Sequence, residues 1–510
     1  MQPRSGPLAR YGAVMLLGFL ALFLLRHIPA PQAVPGLLAF APAGYLTAVA
    51  PLNPFQLLNA RLGLPAATIC RVELGLILAL LFFAYARAIQ LARRGPARRP
   101  TLGALLAGGL LFSLPLIALP HMLSRDVYSY IIYGRIAALH GANPAILPPI
   151  AFADDPYFHF LVSWKDTPSV YGPLWTLLSH GLTLAVEALG GGLWRYMLAY
   201  KLVMLAAHLL NSLLIWSILG AWKPWQQGWG TLIYAWNPVA LIEFAGSGHN
   251  DVLMIGLILL AVFLAQRARW RAAVAALTGA ALIKWAALVL LPIYALMLLR
   301  QSPSWRQRLL RAAQIGAIVL LCALALHAPY GQVARAISAP IATQSAMKPE
   351  NSLSALLVSG APKVLTRLGA PASSAASWRG AALAAQSWGG KALVGLALLV
   401  ALYRVWRRPS FERFVQSSCW LLLVALLVAP VFRVWYVTWP LALAPLLGWR
   451  PLGRLVCVFS ATAPLVYLHW GPHGWSDALV FLPVIGMLAY QLRQERQRRS
   501  ELRAGALAGG

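Results

Sequence analysis

Carboxylates are scarce in this chain: 13 Asp and Glu stand among 510 residues, against 42 Lys and Arg. Charged residues of both signs make up only 11% and hydrophobic residues 60%. That is too little charge to coat a soluble body of this size, which excludes a soluble domain and leaves a polytopic, all-α membrane protein. Cysteine is nearly missing too. Cys70, Cys322, Cys419 and Cys457 lie in or beside apolar runs with no CxxC or Cys/His spacing. This excludes a disulfide framework and a thiolate metal centre, and reads them as small core hydrophobes. No periodic repeat stands out, nor the inverted pair of Gly/Pro-broken helices that marks many transporters. A net charge of +29 would suit a nucleic-acid binder, but the Lys and Arg residues fall in short clusters between apolar runs. That placement serves membrane orientation, and no nucleic-acid partner is expected.

What is present is a long series of apolar runs. About 20 apolar residues cross a ~30 Å hydrocarbon layer. Candidate spans are 11–29, 68–90, 101–120, 195–219, 229–246, 250–266, 272–300, 309–328, 388–406, 412–430, 434–449, 452–470 and 476–492. The first follows Arg4 and Arg10 and is read as an uncleaved helix, with a signal peptide cut near Ala30 to Ala33 as the alternative. Six basic clusters, at 87–99, 267–271, 300–311, 404–413, 450–454 and 493–503, belong in the cytoplasm by the positive-inside rule. Parity between them makes 272–300, broken at Lys284 and Pro292, a hairpin of two short helices. It also forbids Pro173 to Leu189 from crossing and makes that segment a surface helix. The expected architecture is one membrane domain over 1–510, with about 12–14 spans, cytoplasmic termini and two large outer loops, 121–194 and 329–387. Within the second loop, the Ala/Ser/Gly-rich segment Gly369 to Gly390 reads as mobile.

The scarce acids are not spread evenly. Four of the thirteen, Asp126, Asp154, Asp155 and Asp166, fall between Leu123 and Trp175, among Tyr, Trp, His and Pro. Ser124 suits a helix start and Gly141 with Asn143-Pro144 a stop. On that helix Asp126, Tyr130, Tyr133, Ala137 and His140 share one face. Asp126 either caps its helix and pairs with Arg125 or Arg135, or presents a carboxylate to a polar cavity. GSGHND (Gly246 to Asp251) is either an ordinary capped turn or a wall of that cavity formed by His249, Asn250 and Asp251. As a metal pair, His249 and Asp251 lack an obvious third ligand, and no metal is expected. Lys284, Lys348 and Arg433 are cations on the outer side that suit a phosphate. The aromatics of RVWYVTWP (Arg433 to Pro440) line a groove for an isoprenoid or sugar, or form an interfacial belt. One carboxylate acting as base, with a phosphate-binding cation, suffices for inverting sugar transfer from a phosphate-linked donor.

SRDVYSY (Ser124 to Tyr130), YGPLW (Tyr171 to Trp175), WNP…GHNDVLM (Trp236 to Met254) and RVWYVTWPLAL (Arg433 to Leu443) resemble, in order, motifs of the polyprenol-phosphomannose-dependent α-1,6-mannosyltransferases. These belong to the GT-C glycosyltransferase superfamily. Where the related first motif often ends NPY, this chain has Asn143-Pro144-Ala145, and its HWGPHGW run (His469 to Trp475) has no recognised counterpart. The resemblance implies a GT-C-like bundle with juxtamembrane helices and an active site on the extracytoplasmic face of the cytoplasmic membrane. It implies a polyprenyl-phosphate hexose donor, most simply mannose, a glycan or glycolipid acceptor, and no cofactor beyond the lipid-linked donor. Asp126 maps onto the presumed base. Arg125, Tyr130, Tyr133, Asp166, Tyr171, His249, Asn250 and Asp251 are expected to bind substrate, and Lys284, Lys348 and Arg433 the donor phosphate. The rival classes are a flippase or transporter of lipid-linked sugars, a related enzyme using another sugar, and an inactive scaffold of the same shape.

Overall fold

The computed structural model describes residues 6–26, 61–63, 66–95, 98–120, 122–345, 347–369, 371–468 and 475–508. The segment near Ala30 to Ala33 and most of HWGPHGW lie outside these. Among the described residues every regular element is helical, and the one isolated bridge joins Glu350 to Val431. Seven helices are long and apolar enough to cross a membrane, and five apolar helices are shorter. The chain is an all-α polytopic membrane protein. In order, the principal helices are α1 (Gly6–Arg26), α2 (Ala66–Arg93), α3 (Leu102–Ile117), α4 (Asp126–Ala138), α5 (Pro173–Ala188), α6 (Leu193–Trp222), α7 (Gln227–Ala235), α8 (Asp251–Gln266), α9 (Trp270–Ile283), α10 (Leu290–Arg300) and α11 (Trp305–His327). They continue with α12 (Val333–Ser345), α13 (Ala372–Arg407), α14 (Phe411–Val428), α15 (Thr438–Leu447), α16 (Pro451–Thr462) and α17 (Trp475–Ala508). Thr101, Ser304 and Ser410 cap α3, α11 and α14, each side chain accepting one of the first free backbone N–H groups.

One expected break, at Lys284, and one unexpected break, at Pro238, have local causes. Lys284 is extended between α9 and a 3-10 turn (Trp285–Val289) that leads into α10. The guanidinium of Arg311 lies 5.2 Å from the ring of Trp270, at the start of α9, and also donates to the carbonyl of Leu298 near the end of α10. Both outer ends of the pair are therefore on one side, and 272–300 is a hairpin. The expected single span 229–246 is not continuous. Pro238 cannot extend a helix backwards, so Asn237 turns outward and caps the short helix Pro238–Leu241 with its own side chain. That helix passes into a π-helical turn, Ile242–Gly246. The expectation of a mobile Gly369 to Gly390 does not hold, because most of it lies in α13, whose first turns are dominated by alanine, the strongest helix former.

Charge is segregated along the bundle. At one end Arg93 stacks 4.6 Å from Trp449, Arg300 4.2 Å from Trp406, and Arg450 pairs with Glu412 at 2.6 Å. The other end gathers Asp126, Asp251 and Glu350. α8 links the two, with Asp251 at its start and Arg267 just past its end, about 24 Å apart at ~1.5 Å per residue.

The first loop is built on α4 and α5. Pro173, Trp175, Thr176, Ser179, Thr183 and Val186 form the buried face of α5, while Leu178 and Leu184 are exposed, as a surface helix requires. A buried cation holds the loop to this base. Arg135 Nε donates to both oxygens of Asp155 (3.0 and 2.9 Å), and Nη1 donates to Glu187 (2.5 Å) and Tyr196 (3.2 Å). YGPLW fastens the same region to the hairpin. Gly172 N–H donates to the carbonyl of Ile283 at 3.0 Å, and a Cβ at 172 would fall 2.2 Å from the carbonyl oxygen of Leu282. Only glycine allows that approach, one residue before Lys284.

Candidate active site

Where the first loop, the hairpin break and the turn before α15 meet, they enclose a cavity of about 940 Å³. Arg125, Asp126, Tyr133, Tyr171, Lys284 and Arg433 supply polar groups to its lining, together with Glu350, Tyr467 and the rings of Trp435, Tyr436 and Trp439. The aromatics of RVWYVTWP thus form a cavity wall at these three positions.

Asp126 opens α4. Its N–H is taken by the hydroxyl of Ser124 at 3.3 Å, so Ser124 caps the helix one residue earlier than a standard N-cap. The Asp126 side chain is 18% exposed and faces the cavity. It pairs with neither Arg125 nor Arg135. Among the described residues, the ionisable side chain paired with it is the ring of His249, with Nδ1 at 3.8 Å from Oδ2.

The other acids at this end are committed. Asp251, fully buried, takes Lys284 Nζ on both oxygens (2.8 and 2.9 Å) and the indole N–H of Trp439 at 2.6 Å. Lys284 sits between the rings of Tyr436, Trp439 and Tyr171, at 4.9, 5.5 and 5.7 Å. Arg433 forks onto Glu350 at 2.8 and 2.9 Å. Burial alone would loosen the Arg433 proton, and the facing Glu350 carboxylate more than offsets that, so the guanidinium is held charged. Arg125 is different. Among the described residues, its side chain makes no hydrogen bond or ion pair, which leaves it the uncommitted cation of the cavity.

His249, Asn250 and Asp251 stand behind the wall, all fully buried. Gly248 has φ +76, and this left-handed residue turns the chain so that His249 N–H reaches the carbonyl of Glu243 at 3.0 Å. The His249 ring lies flat on Trp435, with centroids 3.7 Å apart. Tyr130, also behind the wall, donates to Asn250 Oδ1 at 3.5 Å, and Tyr171 donates to the Tyr130 hydroxyl at 3.4 Å. Burial and then the Asp126 charge push the hydroxyls of Tyr130 and Tyr133 up, so both serve as neutral donors. Among the described residues no three of His, Cys, Asp and Glu converge as a metal group would require.

Two expected binding residues fall elsewhere. Asp166 is exposed and outside the lining, on a turn closed by Thr167 N–H to Trp164 O that points it outward. Lys348 is exposed and outside the lining as well. Asp155 belongs to the Arg135 clamp, and Asp154 is exposed. Sequence reasoning missed Glu243 and Tyr467. Glu243 sits fully buried in the π-helical turn and accepts from the Tyr467 hydroxyl at 2.8 Å. The usable signal was a carboxylate inside an apolar span, which is costly and usually functional.

The family model described as "Alpha-(1->6)-mannopyranosyltransferase, N-terminal domain" matches residues 36–300, a stretch holding Asp126, Tyr171, Glu243, His249, Asp251 and Lys284. Alpha-(1->6)-mannopyranosyltransferase A of Mycobacterium tuberculosis is 26% identical over 410 residues, 77% of this chain and 75% of that protein. The Corynebacterium glutamicum protein of the same name is 30% identical over 183 residues, 35% of this chain and 36% of its own length. A probable alpha-(1->6)-mannopyranosyltransferase of Mycolicibacterium smegmatis is 27% identical over 227 residues, 39% of each chain.

Proposed function

The chain belongs to the alpha-(1->6)-mannopyranosyltransferase family, of GT-C type, and from that premise we propose that it transfers mannose from a polyprenyl-phosphate donor to a glycan or glycolipid acceptor. The transfer takes place on the extracytoplasmic face of the cytoplasmic membrane and inverts the sugar's C1. The observation that carries the assignment of the base is that, among the described residues, Asp126 is a cavity carboxylate with no Lys or Arg paired to it. Glu350 is taken by Arg433, and Asp251, behind the wall, by Lys284.

Asp126 accepts the proton of the acceptor hydroxyl as that oxygen attacks C1. The C1–O bond to phosphate breaks, and polyprenyl phosphate leaves with the electron pair. Phosphate departs without protonation, so one carboxylate suffices where glycosidases use two. The donor phosphate is met first by Arg125, whose guanidinium is uncommitted and can bond it in a charge-assisted fork. Lys284 and Arg433 add positive field at the cavity wall, each reduced by its own carboxylate partner. Trp435, Tyr436 and Trp439 offer ring faces to the sugar or the first isoprenoid unit.

The test is transfer of radiolabelled mannose from synthetic polyprenyl phosphomannose by the purified full-length protein. Asp126→Asn should lower the rate by at least ~100-fold, the usual contribution of a positioned base. Near-wild-type transfer by a normally expressed Asp126→Asn would overturn the role of Asp126. Transport of the lipid-linked sugar without transfer would overturn the enzyme reading.

A further inference from the structure

Glu243 and His249 are absorbed by no step of that reaction, yet both are fully buried polar groups beside it. The π-helical turn Ile242–Gly246 inserts one residue's worth of rotation into the helix, a device found often at functional sites. It turns Glu243 toward the chain reversal at Gly248, which brings His249 back against it. The imidazole then lies between two carboxylates. Nε2 is 3.3 Å from Glu243 Oε2, and Nδ1 is 3.8 Å from Asp126 Oδ2 on the opposite edge of the ring. Stacking on Trp435 holds the ring plane. Among the described residues the Glu243 side chain accepts one hydrogen bond, from Tyr467, and a fully buried carboxylate with so few donors is costly to keep unless a polar group such as the imidazole stands beside it. The two ring nitrogens face different acids, so the three groups form a line rather than a ligand set around one point.

The geometry points to Glu243 and His249 as a positioning pair for Asp126: Glu243 orients the imidazole, and the imidazole, facing Asp126 with its other ring nitrogen, keeps that carboxylate aimed into the cavity. The pair acts through Asp126, so the inference rests on the base proposed above. Other titratable groups facing it are Tyr130 from α4, Tyr467 beyond α16 and Lys201 from α6, which packs against Gly248 and gives its charge to the carbonyls of Leu116 and Leu119. The Asp251–Lys284 pair lies two residues further along.

The experiment is the pH profile of mannose transfer from synthetic polyprenyl phosphomannose, measured for the full-length protein and for His249→Gln, Glu243→Gln and the double variant. His249→Gln should lower kcat by ~10–100-fold, the range for removing a group that orients a reactive ligand, with KM little changed. Its acidic limb should move up, because the imidazole facing the Asp126 carboxylate is lost. Glu243→Gln should move the limb the same way. Adding Glu243→Gln to His249→Gln should cost little more, since Glu243 has nothing left to act through. An unmoved acidic limb in both single variants, or fully additive losses in the double variant, would overturn the pair. Should Asp126→Asn itself transfer at the wild-type rate, the base assignment fails first. An inactive Asp126→Asn with an unmoved limb in the pair variants sinks the pair alone.

Discussion

The first loop contains two acid–base clusters, about three helical turns apart along α4, that have opposite design. At Arg135 the groups are spoken for: Asp155 takes Nε on both oxygens, Glu187 and Tyr196 take Nη1, His140 meets the same Asp155 at 3.1 Å, and the ring of Tyr157 covers the guanidinium at 4.5 Å. At Asp126 one helix end carries a carboxylate and an adjacent guanidinium, and neither has an ionic partner of opposite sign nearer than an imidazole at 3.8 Å. Both clusters hold acids in a chain that has few of them. The saturated one closes a loop against its neighbours. The unsaturated one faces a cavity, where the proposed substrate hydroxyl and donor phosphate would supply the missing partners. Incomplete pairing beside a cavity, rather than burial of charge, is what separates the proposed reactive site from the structural cluster.

The contrast can be broken most sharply at Asp126. Asp126→Asn should cut transfer by ~10²–10⁴-fold with an unchanged unfolding midpoint in detergent, whereas a large loss of stability would make Asp126 a structural acid like Asp155. Asp155→Asn should do the reverse. Leaving Arg135 partly unpaired in a buried setting costs ~3–5 kcal/mol, read as a lowered midpoint with near-normal kcat for the molecules that remain folded. Arg125→Gln comes next. Loss of a charge-assisted contact worth ~1.5–3 kcal/mol should raise the KM for polyprenyl phosphomannose by about tenfold or more, and an unchanged KM would return the phosphate to Lys284 or Arg433. The smallest effect is expected at Glu350, whose side chain is 54% exposed. An exposed pair contributes ~0–1 kcal/mol, so Glu350→Gln should leave stability nearly unchanged. By freeing Arg433 it should lower the donor KM slightly, if it moves it at all.

Much of this was legible in the chain itself because it is local or statistical. Apolar run length marks the spans, and the basic clusters set a parity that made 272–300 a hairpin and Pro173 to Leu189 a surface helix. The fold carries the first of these, through Arg311 touching the two outer ends of the hairpin, and α5 is buried on one face. Scarcity of acids pointed to Leu123–Trp175, and helical spacing ranked Asp126 above its three neighbours. Of the four, Asp126 is the one that lines the cavity, while Asp155 is in the clamp and Asp154 and Asp166 are exposed. Composition was a poorer guide at Gly369 to Gly390, where the small residues suggested a loop and alanine's helix preference prevailed.

Sequence by itself determined the membrane class and singled out the stretch where acids and aromatics gather, since hydrophobic length, charge sign and helical period act over tens of residues. Tertiary structure alone decided which charges are cancelled. Asp251 meets Lys284 across 33 residues, Arg433 meets Glu350 across 83, and Tyr467 meets Glu243 across 224. No periodicity encodes such pairs. They exist because the π-helical turn, the extended Lys284 and the left-handed Gly248 bring distant segments within hydrogen-bonding distance, and among the described residues they leave Arg125 without a partner and Asp126 without a Lys or Arg on it.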